Sequence, residues 1–213
     1  MPLLCRMMET YHYTNIKCKL LETNAKRLCL FAILIFCSCT QHRLIKSMEQ
    51  FMGQHIIISS DWNAIWNGRD TIMPDLFSEA PIKLIVWYDS LGCASCEVSR
   101  MYAWDNITAH ADAFSQWFSI YYLFTPKKED LHKLRIAING SIFDYPVFID
   151  QDATFVKQNP NLPKNKQLHS FLLDKNNKVV LVGNPLYNPA LWDLYKRTIQ
   201  SMIINDGELP LKD

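Results

Sequence analysis

The apolar residues of this chain fall into short blocks whose spacing changes along its length. Lys83-Leu84-Ile85-Val86-Trp87-Tyr88 is an apolar run of strand length, fit for burial on both faces. From Glu97 to Phe118, Met101, Trp104, Ile107, Ala111, Phe114 and Phe118 recur at helical spacing and predict a helix. Ser119–Phe124 reads as a second strand. Pro126 then opens a helix, with Glu129 and Asp130 in its first turns and Asn139-Gly140 at its end. Tyr145-Pro146-Val147-Phe148-Ile149-Asp150 is a third strand with its proline at the start. After a loop holding Pro160 and Pro163, His169–Asp174 and Lys178–Val182 form a hairpin through Lys175-Asn176-Asn177, and Gly183-Asn184-Pro185 breaks it. Pro189-Ala190-Leu191-Trp192 opens a last helix, with Leu194, Tyr195, Thr198 and Ile199 on one face. Upstream, His55–Ile58 predicts a strand beside which Trp62, Ile65 and Trp66 pack. Asn67-Gly68 marks a turn that returns near Ile72.

Helices between strands imply parallel neighbours, while the closing hairpin is antiparallel. The expected fold is therefore α/β, a mixed sheet with helices on both faces. It occupies residues 56–204 and is followed by a polar, frayed tail at 205–213.

A different pattern governs the N-terminus. Lys26-Arg27 precedes nine apolar residues, Leu28 to Phe36. As a helix these would cover ~14 Å, too little for a ~30 Å hydrocarbon core, so they read as the apolar centre of a signal peptide. The following Phe36-Cys37-Ser38-Cys39 resembles a bacterial lipobox, with Phe36 where leucine is usual. That resemblance implies cleavage after Ser38, lipidation of Cys39, and a lipidated tether over 39–55. An ordinary signal peptide, or a buried helix of a cytosolic protein, are the alternatives. The polar stretch 1–25 is longer than a usual signal-peptide start. The run Thr40-Gln41-His42-Arg43 lacks an acidic cluster, which favours the periplasmic side of a membrane.

Composition narrows the function classes. The 213 residues are 49% hydrophobic and 20% charged, which suits one globular domain plus an appendage. A net charge of +1 without a dense basic stripe argues against nucleic acid as a partner. Of seven cysteines, Cys5, Cys18, Cys29, Cys37 and Cys39 fall in the N-terminal segment. Only Cys93 and Cys96 lie in the globular part, so the chain carries one local dithiol rather than a disulfide framework.

A buried strand followed by Cys93-Ala94-Ser95-Cys96 at a helix start resembles the thioredoxin superfamily. Tyr145–Asp150 is similar to the strand inserted in its TlpA-like and redoxin branch, and Ser170–Val180 to that branch's closing hairpin. The resemblance covers about residues 80–200. It implies a thioredoxin-like fold, no cofactor, and a dithiol acting on periplasmic proteins that carry dithiols or disulfides. Trp87, Gly92, Leu168 and His169 would line the substrate site. Three positions depart from the family. Gly92 stands where tryptophan is common, and Ala94-Ser95 lacks the frequent proline. Leu168 occupies the place of a cis-proline facing the dithiol. A non-proline cis bond costs ~3 kcal/mol, so a trans bond and an altered peptide contact are expected there.

The thiolate is the attacking species, and a helix N-terminus favours it, lowering the pKa below ~8.5. Cys93 is expected at the helix entrance, exposed, as nucleophile. Cys96, one turn on and shielded, would resolve the mixed disulfide. Glu97 either tunes these thiols or is a solvated helix residue. Asp89 is either a base near the dithiol or a turn former. A static disulfide remains an alternative role for the pair. So does a soft Cu(I) site completed by His169, which would make the protein a metal carrier; otherwise no metal site is expected. The alternative to an enzyme is thus a metal carrier or a redox-inactive binding module.

Overall fold

The apolar run around Ile85 becomes the centre of a seven-stranded sheet. The structure is a computed structural model, which describes residues 42–59, 62–71 and 79–210. The signal-like segment, Cys5, Cys18, Cys29, Cys37, the lipidation candidate Cys39, and Ile72 lie outside the described residues. The chain divides into two units, Met1–Lys46 and Ser47–Asp213. In the first, residues 42–46 are helical. The second begins ahead of the expected boundary at 56, and its helical residues 47–51 include the buried Phe51.

The strands are β1 (Asn63–Trp66), β2 (Arg69–Thr71), β3 (Ile82–Tyr88), β4 (Phe118–Phe124), β5 (Val147–Ile149), β6 (Ser170–Leu173) and β7 (Val179–Val182). The helices are α1 (Ala94–Val98), α2 (Asp105–Ala113), α3 (Leu131–Asn139), α4 (Thr154–Gln158) and α5 (Pro189–Ile204). The sheet order is β2-β1-β5-β4-β3-β6-β7. β3, β4 and β5 are parallel neighbours, and β6, β7 and the β1–β2 hairpin run antiparallel.

Strand alternation sorts the side chains into two cores. Ile82, Leu84, Val86, Ile120, Tyr122, Phe124 and Leu172 join one cluster with Val98, Ile107, Leu134, Tyr195 and Ile199, so α1, α2, α3 and α5 cover that face. Two successive crossovers in one direction put their helices on one face. The other face carries Phe171 against Phe51, and Trp62 against Tyr121, Phe148 and Phe155 of α4. This is the mixed sheet with helices on both faces, a thioredoxin-like arrangement.

Several elements differ from expectation for local reasons. His55–Ile58 is no strand: His55 makes one bridge to Lys178, and the Asn159 amide takes both backbone groups of Ile57, at 2.8 and 2.9 Å. The helix expected from 97 to 118 is broken into α1, a 3-10 turn at Met101–Trp104, and α2. Ser99 Oγ bonds Cys96 O and competes with the helical ladder where α1 stops. Phe118 is apolar because it opens β4, opposite Ile82. Pro126 does not open α3, since Thr125 N still bonds Tyr88 O and a 3-10 turn at Lys128–Asp130 intervenes. On α5 the buried stripe is Tyr195, Ile199 and Met202, while Leu194 is exposed. The tail is tied down rather than frayed at its start: Gly207 N bonds Met202 O, Gly207 O accepts from Lys175 N, and Asn176 bonds Glu208.

Candidate functional site

β3 ends at Tyr88, and the next residues turn sharply toward α1. Asp89 Oδ1 accepts from Leu91 N at 3.0 Å, an Asx turn that fixes the loop. Gly92 follows, then Cys93 as the N-cap of α1. Its Sγ accepts from Cys96 N at 3.3 Å, in the place a serine or aspartate oxygen usually fills. Ser95 Oγ lies 3.6 Å from the same sulfur. Cys93 and Cys96 are joined as a disulfide, with their Cα atoms 5.2 Å apart. On reduction, the donors already aimed at Cys93 Sγ stabilise its thiolate.

Cys93 and Cys96 are both exposed, which corrects the expectation that Cys96 is shielded. The helix that carries them has only five residues, of which Val98 alone is buried.

A cavity of about 180 Å³ opens beside the pair, walled by Gly92, Ala94 and Glu97 on one side and by Trp87, Lys166 and His169 on the other. Trp87 Nε1 donates to Thr125 Oγ1 at 3.0 Å, and the Trp87 ring lies 4.1 Å from the ring of His169 and 5.8 Å from that of Phe155. These contacts hold the indole as a fixed wall. Tyr88, also in the wall, has its phenol pKa raised, first by burial and further by Glu97, against a lowering hydrogen bond from Trp104.

The structure brings Trp87, Gly92 and His169 to the cavity together with Ala94 and Glu97, the residues that follow Cys93 and Cys96. It does not bring Leu168 there. Residues Lys166–Leu168 form a 3-10 turn capped by Asn165, whose Oδ1 accepts from Gln167 N, and Leu168 is tucked into the interior. The peptide bond before Leu168 is trans, as are all among the described residues.

His169 also departs from the copper reading. Its Nε2 donates to Pro163 O at 2.9 Å, since a carbonyl can only accept, and burial lowers its pKa. Among the described residues, no group of three His, Cys, Asp or Glu side chains is placed to hold a metal ion. The dithiol and His169 therefore do not combine into the soft three-ligand site that the sequence left open.

Lys166, Asn184 and Ser170 were missed as wall residues. Lys166 sits in the polar run Pro163-Lys164-Asn165-Lys166, which has no periodicity. Its one signal is that it lies two residues before Leu168, in the segment the resemblance sets against the dithiol. Lys166 Nζ lies 3.0 Å from Asp89 Oδ1, and a methyl group added at Gly92 would stand 3.3 Å from that ammonium. Asp89 thus serves the turn and an ion pair at once.

No family model matches the chain, and no curated protein matches it. Solved structures do. An uncharacterized thioredoxin-like protein from Porphyromonas gingivalis is 15% identical with a TM-score of 0.44, over 74% of this chain and 95% of that one. The thioredoxin domain of a thiol–disulfide oxidoreductase from Bacteroides vulgatus is 16% identical with a TM-score of 0.39, over 67% and 99%. AhpC of Enterococcus faecalis is 13% identical with a TM-score of 0.46, over 76% and 99%. The fold itself stands on the strand order and crossovers above. The disulfide stands at the entrance of the helix that follows the central strand.

Proposed function

We propose that this protein is a thiol–disulfide oxidoreductase of the TlpA-like kind, held to the periplasmic face of a bacterial membrane by lipid on Cys39. The observation that carries the redox part is the placement of Cys93 Sγ as the N-cap acceptor of α1, exposed and already joined to Cys96. A disulfide closing so short a loop constrains the unfolded chain little, so stabilisation is a poor account of it. Reduced, the Cys93 thiolate attacks a substrate disulfide. One substrate thiol leaves, and Cys96 then displaces the second and closes the Cys93–Cys96 bond. The anchoring part rests on the sequence alone, on nine apolar residues followed by Phe36-Cys37-Ser38-Cys39.

The test is trapping. In Cys96→Ser, the Cys93 thiolate forms mixed disulfides that have no resolving partner, and these accumulate on non-reducing gels. Cys93→Ser yields far fewer. Equal trapping by both variants would remove the division of roles, and trapping by neither would remove the activity.

A further inference from the structure

The residues beside the dithiol also specify what kind of disulfide it meets, an inference that rests on the oxidoreductase reading above. Along the turn that carries Lys166 and His169, three successive backbone N–H groups are already engaged. Gln167 N bonds Asn165 Oδ1 at 3.0 Å, Leu168 N bonds Asn165 O at 2.9 Å, and His169 N bonds Lys166 O at 3.1 Å. An extended peptide docks by exchanging main-chain hydrogen bonds with such a segment, and here all three N–H groups are engaged internally. What remains is the cavity, whose volume of about 180 Å³ fits one amino-acid-sized group; drug-sized sites run to ~300–1,000 Å³.

Its wall carries charges of both signs close together. Lys166 supplies an ammonium that is half exposed, and Asp89 and Glu97 supply carboxylates. Lys166 is half exposed while the Asp89 side chain is only 11% exposed, and a pair with one solvated partner exchanges more readily than a fully buried one. Lys166 can therefore turn from Asp89 to an incoming carboxylate, which leaves the Asp89 carboxylate to a cation. Trp87 and Tyr88 give the cavity its aromatic side.

We infer that this cavity binds one half of a low-mass zwitterionic disulfide of the cystine class. The ligand carboxylate sits on Lys166 Nζ, its ammonium faces Asp89 and Glu97, and its sulfur lies toward Cys93. The Cys93 thiolate attacks that sulfur, the S–S bond of the ligand breaks, and the other half leaves as a thiolate that takes up a proton. Cys96, having given up its own proton, attacks Cys93 Sγ and expels the bound half as a second thiol. The ligand gains two electrons and two protons, and the dithiol loses them.

The experiment uses the reduced full chain in stopped flow with four disulfides: cystine, cystamine (no carboxylates), dithiodipropionate (no ammoniums) and hydroxyethyl disulfide (no charges). Each rate is divided by that of dithiothreitol with the same disulfide, which removes differences in leaving group. The normalised rate for cystine should exceed those for cystamine and dithiodipropionate by about tenfold, the value of one charge-assisted contact, and that for hydroxyethyl disulfide by more. In Lys166→Gln the cystine-to-cystamine ratio should fall to about one, and Lys166→Arg should restore most of it by keeping the charge. Equal normalised rates for all four would overturn the inference and leave the oxidoreductase reading standing. Reaction with none of them, and no mixed disulfide by mass, would overturn both.

Discussion

Asp150 is where a single carboxylate links the sheet to the wall behind the dithiol. It directly follows β5, is 3% exposed, and accepts three hydrogen bonds: from Thr154 N at 2.9 Å, Thr154 Oγ1 at 2.8 Å and Phe155 N at 2.8 Å. These cap the first turn of α4, which in turn presents the fully buried Phe155 to Trp62 and Trp87. In Asp150→Ala both backbone N–H groups lose their acceptor. Each buried unsatisfied donor costs about 1–3 kcal/mol, and the Thr154 hydroxyl can turn toward water, so the expected loss is about 3 kcal/mol. Against a total stability of about 5–15 kcal/mol that is a large fraction. Asp150→Asn keeps one acceptor oxygen and should lose about half as much. Urea unfolding followed by tryptophan fluorescence reads the change directly, because Trp62 and Trp87 both contact Phe155. A loss below about 1 kcal/mol in Asp150→Ala would refute the claim that the carboxylate, rather than packing alone, holds α4.

Burial lowers the folded-state pKa of His169 below its ordinary value of about 6.5. The unfolded chain therefore binds more protons below that pH, and stability falls as pH drops from about 6.5 toward the folded pKa; urea midpoints across that window should show a shallower slope in His169→Gln. Leu168→Pro removes the N–H that bonds Asn165 O and forces Gln167 out of the 3-10 turn. Insulin reduction, slow in the unaltered chain, should rise in that variant, and rapid insulin reduction without the change would contradict the internally bonded turn. Cys39→Ser should release the protein from membranes or leave it unprocessed, whereas unchanged fractionation and mass would remove the lipid anchor.

Much of the sheet was legible because buried parallel strands carry continuous apolar runs. Lys83–Tyr88 and Ser119–Phe124 stand out for that reason, and Pro189 marks the start of α5 by standing at its first helical position. The failures came where a side chain replaced backbone pairing. Asn159, distant in sequence, satisfies Ile57 and cancels a strand that three isoleucines suggested. Phe118 fitted a helical period by coincidence while belonging to the next strand. At the site, two cysteines and a preceding turn were readable from local spacing, but the cavity wall depends on the 3-10 turn at 166–168. That turn exchanges Leu168 for Lys166, and nothing in the hydrophobic pattern of a polar proline-rich loop records the exchange.

The central claim is that Cys93 and Cys96 form a working redox couple. The full chain, equilibrated against graded ratios of reduced to oxidised glutathione and quenched by acid and alkylation, gives by mass the fraction of the 93–96 peptide that is disulfide-bonded. A working couple passes from disulfide to dithiol along one two-electron curve, with a tenfold change in its ratio for every ~30 mV, and returns along the same curve on reoxidation. A fraction that stays fixed across the whole range, or that never returns once reduced, would contradict the account.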